Sequence, residues 1–134
     1  MGRTIRWGIL APSSISRKFT ADLALVPDAQ VLAVGSRSAD RARAYAEEFG
    51  IERSYGSYQE LVADPDVDVV YISSPHPEHY RNALLALRAG KAALVEKPFA
   101  MNSEQAEHMV AVARENGVFL MEALWSRTHP ASIE

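Results

Sequence analysis

The stretch Ala92-Ala93-Leu94-Val95-Glu96-Lys97-Pro98 decides how this chain is read. Four apolar residues in a row, without polar alternation, predict a strand covered on both faces, as strands of parallel sheets are. A lysine at the carboxyl end of such a strand faces the crevice where open α/β sheets bind ligands. There Lys97 can act as a cationic hydrogen-bond donor or proton donor to a substrate oxygen. Taken alone, the same tripeptide is equally compatible with a surface lysine in a turn fixed by Pro98. The remainder of the chain separates the two readings, because strands and helices alternate along it.

Apolar runs and helical spacing predict strands at residues 4–10, 30–35, 53–55, 67–73, 92–95 and 118–124. Between them lie helices predicted at 15–25, 39–49, 58–63, 78–89 and 103–116, with a turn at 11–14 and Ser103 as the expected cap of the last helix. Pro27-Asp28 and Asp64-Pro65 break two of these helices. Gly50, Gly90 and Gly117 end three others, each followed within a few residues by a strand. Repeated β-α-β units cross over right-handed. The expected fold is therefore α/β, a doubly wound parallel sheet with its binding crevice at the carboxyl ends of the first and fourth strands.

Composition narrows the function classes. With 134 residues, 48% apolar and 23% charged, the chain has the make-up of one globular domain. A net charge of −3 offers no global basic field, so no nucleic-acid partner is expected. The absence of cysteine removes disulfides, thiol chemistry and thiolate metal sites. No apolar run approaches membrane-spanning length, and no signal peptide is expected from the amino-terminal residues. Met1-Gly2 is not followed by the Ser or Thr that myristoylation requires, since Arg6 stands there. A cytoplasmic protein without membrane contact is expected.

Three loops carry candidate binding residues. Between the first strand and helix a dinucleotide fold wants G-x-G-x-x-G/A, and this chain has Ala11-Pro12-Ser13-Ser14-Ile15-Ser16. All three small positions are filled, none by glycine. The amides of Ser13, Ser14 and Ile15 still open a helix, a favourable anion site, although capping alone would explain the serines. At the end of the second strand stands Ser36-Arg37-Ser38, with Arg41 one helical turn further, and no acid for a ribose hydroxyl. Guanidinium groups there suit the 2′-phosphate of NADP; the competing reading is solvated charge. After the fourth strand comes Ser73-Ser74-Pro75-His76-Pro77-Glu78-His79. His76 and His79 lack a third ligand nearby, so no metal is expected, and hydrogen bonding to a ribose or a substrate fits better. His108 is expected at the surface.

Taken in order, Arg6-Trp7-Gly8-Ile9-Leu10, Val34-Gly35-Ser36-Arg37, Tyr55-Gly56-Ser57-Tyr58, Asp64-Pro65-Asp66-Val67-Asp68, Ser74-Pro75-His76-Pro77-Glu78-His79 and Glu96-Lys97-Pro98 resemble the amino-terminal half of the Gfo/Idh/MocA oxidoreductases. Leu120-Met121-Glu122-Ala123-Leu124-Trp125-Ser126-Arg127 resembles the dimeric dihydrodiol dehydrogenase-like branch of that family. The resemblance implies a Rossmann-type cofactor domain and hydride transfer, with NADP or NAD, to or from a sugar, polyol or diol carbon. It implies Lys97 as the catalytic residue at the substrate oxygen. Ser36 and Arg37 become contacts of the adenosine phosphate, Ser73, Ser74, Pro75 and His76 the loop along the cofactor, His79 a histidine near it, and Glu96 a neighbour of the nicotinamide.

The replaced glycine loop departs from the family pattern, as does Thr128-His129, where a Phe is common. The family's enzymes are also about twice this length or more, and their second domain binds substrate. The resemblance therefore assigns residues 1–124 to the cofactor domain and 125–134 to the start of a connection to a second, absent domain. An incomplete active site, a tendency to self-associate and, as the alternative function, a non-catalytic nucleotide-binding or interaction module follow as expectations.

Overall fold

The computed structural model describes residues 4–74, 78–96 and 103–123. The elements run β1 (Ile5–Leu10), α1 (Ser14–Leu23), β2 (Ala29–Gly35), α2 (Ala39–Phe49), β3 (Arg53–Tyr55), α3 (Tyr58–Val62), β4 (Val69–Ile72), α4 (His79–Arg88), β5 (Ala92–Glu96), α5 (Ser103–Asn116) and β6 (Leu120–Ala123). All strand pairs are parallel, in the order β3-β2-β1-β4-β5-β6. The order reverses between β1 and β4, so a crevice opens at their carboxyl ends.

The apolar runs make sense once both faces are followed. Ile9, Tyr71 and Leu94 enter one core with Phe19 of α1 and Tyr45 of α2. Their neighbours Leu10, Ile72 and Val95 enter the other, with Leu61 of α3, Leu87 of α4 and Met109 of α5. Consecutive residues on β1, β4 and β5 are thus buried on opposite sides. On the first face a Trp7–Phe19–Tyr71 ladder fixes α1: Phe19 stacks on Tyr71 at 3.9 Å between centroids and meets Trp7 edge-on at 5.3 Å. On the second face α3 sits so close that a Cβ at Gly35 would lie 2.8 Å from the Cβ of Leu61. Glycine there is required by the approach of the helix, not by backbone angle.

Three ends lie two residues from their expected positions, and several others lie one residue away. Helix α1 stops at Leu23, and Leu25 and Val26 turn outward, Leu25 being 82% exposed. Pro27 disfavours helical backbone in the residue before it, so the chain leaves the helix early. Strand β4 begins at Val69 instead of 67, and the carbonyl of Val67 accepts from Lys91 Nζ at 2.7 Å. Strand β6 begins at Leu120 instead of 118, because the amide of Val118 donates to the Ala113 carbonyl in the turn closing α5. Gly50 and Gly117 adopt the left-handed conformation expected of helix stops, and so does Gly90.

The Asp64-Pro65-Asp66-Val67-Asp68 segment builds the amino-terminal edge of the sheet. Asp64 is buried and accepts from Arg53 Nη1 at 2.8 and 2.9 Å, Tyr55 Oη at 2.8 Å and the Asp66 amide at 2.9 Å. Lys91, also buried, donates to the Asp64 carbonyl at 2.7 Å. Burial pushes the Asp64 carboxyl up, but the hydrogen bonds from Arg53, Asp66 and Tyr55 outweigh it and hold the group below the ordinary aspartate value of 3.8. Burial pushes the Lys91 ammonium down.

A depressed carboxylate contributes stability that is complete above its unfolded value and is lost as pH falls through its folded value. Denaturant titrations are therefore expected to show stability declining below about pH 4, starting at the unfolded Asp64 value of 3.8. Asp64→Asn is expected to lower neutral-pH stability by about 1–3 kcal/mol and to flatten that acid limb.

Candidate functional site

The crevice is built from the loops that follow β1, β2 and β4. In the first, Ala11 has φ of +67°, at the position where the glycine pattern begins. Left-handed backbone costs an alanine about 1 kcal/mol or more relative to glycine. The turn is held by the Ala11 amide on the Gly35 carbonyl at 3.0 Å and by Ser73 Oγ on the Ala11 carbonyl at 3.0 Å. Those two bonds tie the ends of β1, β2 and β4 together.

Ser13 caps α1. Its hydroxyl accepts from the Ser16 amide at 3.2 Å, and its own amide donates to Ser16 Oγ at 2.8 Å. The amide of Ser13 is therefore engaged inside the loop. Ser14 and Ile15 occupy the first two helical positions, whose amides have no intrahelical acceptor and point out of the helix end. Of the three amides in the expected anion seat, these two are left open by the loop.

Ser16 also ties α1 to α2. Its hydroxyl donates to the Ser13 carbonyl at 2.9 Å, so at its 3.0 Å contact with Tyr45 Oη it accepts. Tyr45 then accepts from Thr20 Oγ1 at 3.0 Å. This chain of hydroxyls, Thr20 to Tyr45 to Ser16 to the Ser13 carbonyl, lies in the core. In place of a glycine that would let the helix pack closely, the protein has a buried polar contact between α1 and α2.

Beside it is a cavity of about 200 Å³ lined by Pro12, Ser13, Arg17, Ser36, Arg41 and Tyr45. Ser36 is buried at the end of β2, and its Oγ accepts the Ser38 amide at 3.2 Å. Ser38 caps α2 through the Arg41 amide, which sets Arg41 in the first turn. Arg41 makes no ion pair among the described residues. Arg37 lies elsewhere: it lines a neighbouring crevice of about 540 Å³ between α3 and α4, 3.8 Å from the Glu78 carboxylate.

At the third loop, Ser74 is held from two sides. Asn82 Nδ2 donates to its Oγ at 2.9 Å, and His79 Nε2 lies 2.6 Å from its carbonyl, so that nitrogen carries the proton. His79 is buried on the first turn of α4. Through this nitrogen it fixes the end of β4. Glu96, the last residue of β5, is buried, and its carboxylate accepts from Tyr71 Oη. Burial first, and then the Glu96 carboxylate, raise the Tyr71 phenol far above its ordinary value, which keeps it a donor. His108 is exposed on α5 and meets Tyr80 Oη at 2.5 Å. Pro75, His76 and Lys97 lie outside the described residues.

Two lining residues escape the sequence reading. Arg17 stands four residues after the cap Ser13, and Tyr45 four residues after Arg41. Both spacings place side chains along one helix face. Without knowing that α1 and α2 touch, nothing connects them.

The pattern of the Gfo/Idh/MocA oxidoreductase family, NAD-binding Rossmann fold, matches residues 5–124. This chain belongs to that family. It is similar to trans-1,2-dihydrobenzene-1,2-diol dehydrogenase of Mus musculus, with 49% identity over 129 residues, 95% of this chain and 39% of the mouse protein. The Homo sapiens enzyme of the same name is 47% identical over 130 residues, 96% of this chain and 39% of its own. Among solved structures, a 3-ketoreductase from Actinomadura kijaniata in complex with TDP-benzene and NADP superposes with a TM-score of 0.90 at 40% identity, covering 96% of this chain and 41% of that one. The chain thus spans about two fifths of the length of these relatives. It is the NAD(P)-binding domain of an oxidoreductase fold. No helix among the described residues is long and apolar enough to cross a membrane.

Tyr45→Phe is expected to lower stability by about 1–1.5 kcal/mol, because it leaves two buried hydroxyls short of a partner. Chemical denaturation checks this. Ser16→Ala should cost a similar amount, and the double variant much less than the sum, as groups in one network are not additive.

Proposed function

We propose that this chain is the cofactor domain of an NADP(H)-dependent oxidoreductase acting on a sugar, polyol or diol carbon in the cytoplasm. The observation that carries the cofactor preference is the cavity after β2. Among the described residues it holds an arginine on α2 without an acidic partner, a buried serine and the capped start of α1, and no carboxylate lines it. A 2′-phosphate would find charge and hydrogen-bond donors there, whereas a bare ribose would find no carboxylate to accept from its hydroxyls.

The chain's own residues divide the work as follows. The amides of Ser14 and Ile15 receive the pyrophosphate at the helix end. Ser36, Arg37 and Arg41 serve the adenosine phosphate, Arg37 from the neighbouring crevice. Ala11, Ser13, Ser73 and Ser74 shape the wall between β1 and β4, and His79 keeps Ser74 in place; Pro75 and His76 continue that wall in sequence. NADP, when bound, supplies or accepts the hydride. Glu96, fixed by Tyr71, anchors the end of β5, and Lys97, the next residue, holds or donates the proton at the substrate oxygen. The similar ketoreductase and diol dehydrogenases support a carbonyl or hydroxyl substrate of this class.

Titration calorimetry is expected to give tighter binding of NADP than of NAD, and equal affinities or tighter NAD would overturn the preference. Arg41→Ala should weaken NADP by about 1–3 kcal/mol more than NAD, the range for a hydrogen bond to a charged group. Steady-state assays against sugars, polyols and diols are expected to show turnover by residues 1–134 below about 1 s⁻¹, the low end for ordinary enzymes. Faster turnover would make this chain a complete catalyst.

Self-association is the further expectation. Phe119 is 78% exposed and Met121 48%, both beside a core that ends at Leu94 on that face. Light scattering is expected to show a mass above that of the monomer at high concentration. A clean monomer would mean these residues are tolerated singly, as scattered surface apolar residues usually are.

A further inference from the structure

We propose that Arg17 is a second guanidinium for the 2′-phosphate of NADP, parked on Glu48 until the phosphate arrives. The proposal rests on the NADP reading above and adds a residue outside the sequence motifs. Arg17 sits on α1, one turn beyond the cap Ser13, and lines the same cavity as Ser36 and Arg41. Arg41 reaches that cavity from α2. Two guanidinium groups from two helices thus converge on one small space without an acidic residue in its wall. A phosphate monoester carries between one and two negative charges at neutral pH and offers three acceptor oxygens, which two arginines match.

Arg17 has a partner already. Its two terminal nitrogens donate to the two oxygens of Glu48, one of them at 2.8 Å. The Glu48 hydrogen bond is the main cause that raises the Arg17 guanidinium further above its already high value. Both side chains are nonetheless about half exposed, at 48% and 47%. The pair is bidentate, but at this exposure water screens it, and a phosphate bearing more charge than one carboxylate can take its place. The guanidinium also lies 5.3 Å from the centroid of the Phe49 ring. That contact keeps it near the cavity whether or not Glu48 is engaged. The hydroxyl chain through Tyr45 fixes α1 against α2, so Arg17 and Arg41 keep their relative position. Glu48 then acts as an internal anion that competes with the ligand phosphate, and its removal strengthens the site.

The probe is 2′,5′-ADP, which carries the adenosine and its 2′-phosphate without the nicotinamide half; 5′-ADP is the control. Calorimetry on the whole chain is expected to show Arg17→Gln weakening 2′,5′-ADP about tenfold, in keeping with the loss of a charge-assisted bidentate contact. Glu48→Gln, which leaves the core untouched, is expected to tighten it about threefold or more, as removal of a competing charge does. Neither change should move 5′-ADP. If either variant binds 2′,5′-ADP as the unaltered chain does, or if Glu48→Gln weakens it, the exchange is overturned. It is overturned equally if the unaltered chain does not bind 2′,5′-ADP. Arg17-dependent binding of 2′,5′-ADP together with no preference for NADP over NAD would uphold the exchange and remove the dinucleotide reading instead.

Discussion

Burial of both faces of the central strands is the constraint on which the rest of this structure depends. Ile9 and Leu10, Tyr71 and Ile72, and Leu94 and Val95 are neighbours in sequence and belong to opposite cores. A sheet with such strands needs helices on each side, and parallel strands need a crossover for every pairing. With β1 and β4 side by side, the loops after them diverge to opposite faces and leave a crevice between. The anion seat at α1 and the serines after β4 follow from this arrangement. So does the exposure at the far edge: among the described residues the core beneath α1 and α2 reaches Leu94 and stops there, leaving Phe119 and Met121 outside it.

The loop after β1 shows how a phosphate-binding turn tolerates the loss of its glycines. The first position accepts an alanine at positive φ, a modest local strain. The second and third are joined, Ser13 and Ser16 bonding each other's amides. Where a glycine would let the helix lie close on its strand, Ser16 turns its hydroxyl to a contact between α1 and α2. A Cβ and an oxygen there need space and a partner, and Tyr45 supplies the partner. The replacement is coherent because each added polar atom is satisfied, as burial requires. Its consequence is that the Ser13 amide is engaged within the loop, which leaves two open amides at the helix start where the sequence suggested three.

The fold was legible because its signals are local. Apolar runs mark strands, Ser38 and Ser57 sit where helices start, and Gly50, Gly90 and Gly117 sit where helices end. The errors are local too, confined to ends such as Val26 before Pro27 and Val118 after Gly117, where cap hydrogen bonds decide the boundary. The site was legible only in part. Ser36 and Arg41 follow a strand end and stand out in sequence. Arg17 and Tyr45 enter the cavity through the packing of α1 on α2, which depends on contacts between residues 29 and 25 positions apart. Asp64-Pro65-Asp66-Val67-Asp68 looked like a family marker, and its chemistry proves structural: it holds Arg53 and Lys91 at the edge of the sheet away from the crevice.

The distribution of charge follows the same division. The net charge of −3 describes neither edge of the sheet. At the amino edge, Arg53 bonds Asp64 and Asp66, Arg6 lies 3.5 Å from Asp68 and 3.6 Å from Asp66, and Lys91 donates to the backbone carbonyls of Asp64 and Val67, so these charges hold the strand ends together. At the carboxyl edge the pairing is uneven. Arg37 stands 3.8 Å from Glu78, Arg17 shares an exposed pair with Glu48, and Arg41 has no acidic partner among the described residues. An arginine whose partner is weak or absent is poorly explained as a stabiliser, since exposed pairs add little to folding. It is well explained as a group kept available. Arg17 and Arg41 line the cavity where α1 begins, so helix dipole and guanidinium groups lie beside the same small volume. A chain of net charge −3 thus carries a local group of arginines at one end of its sheet.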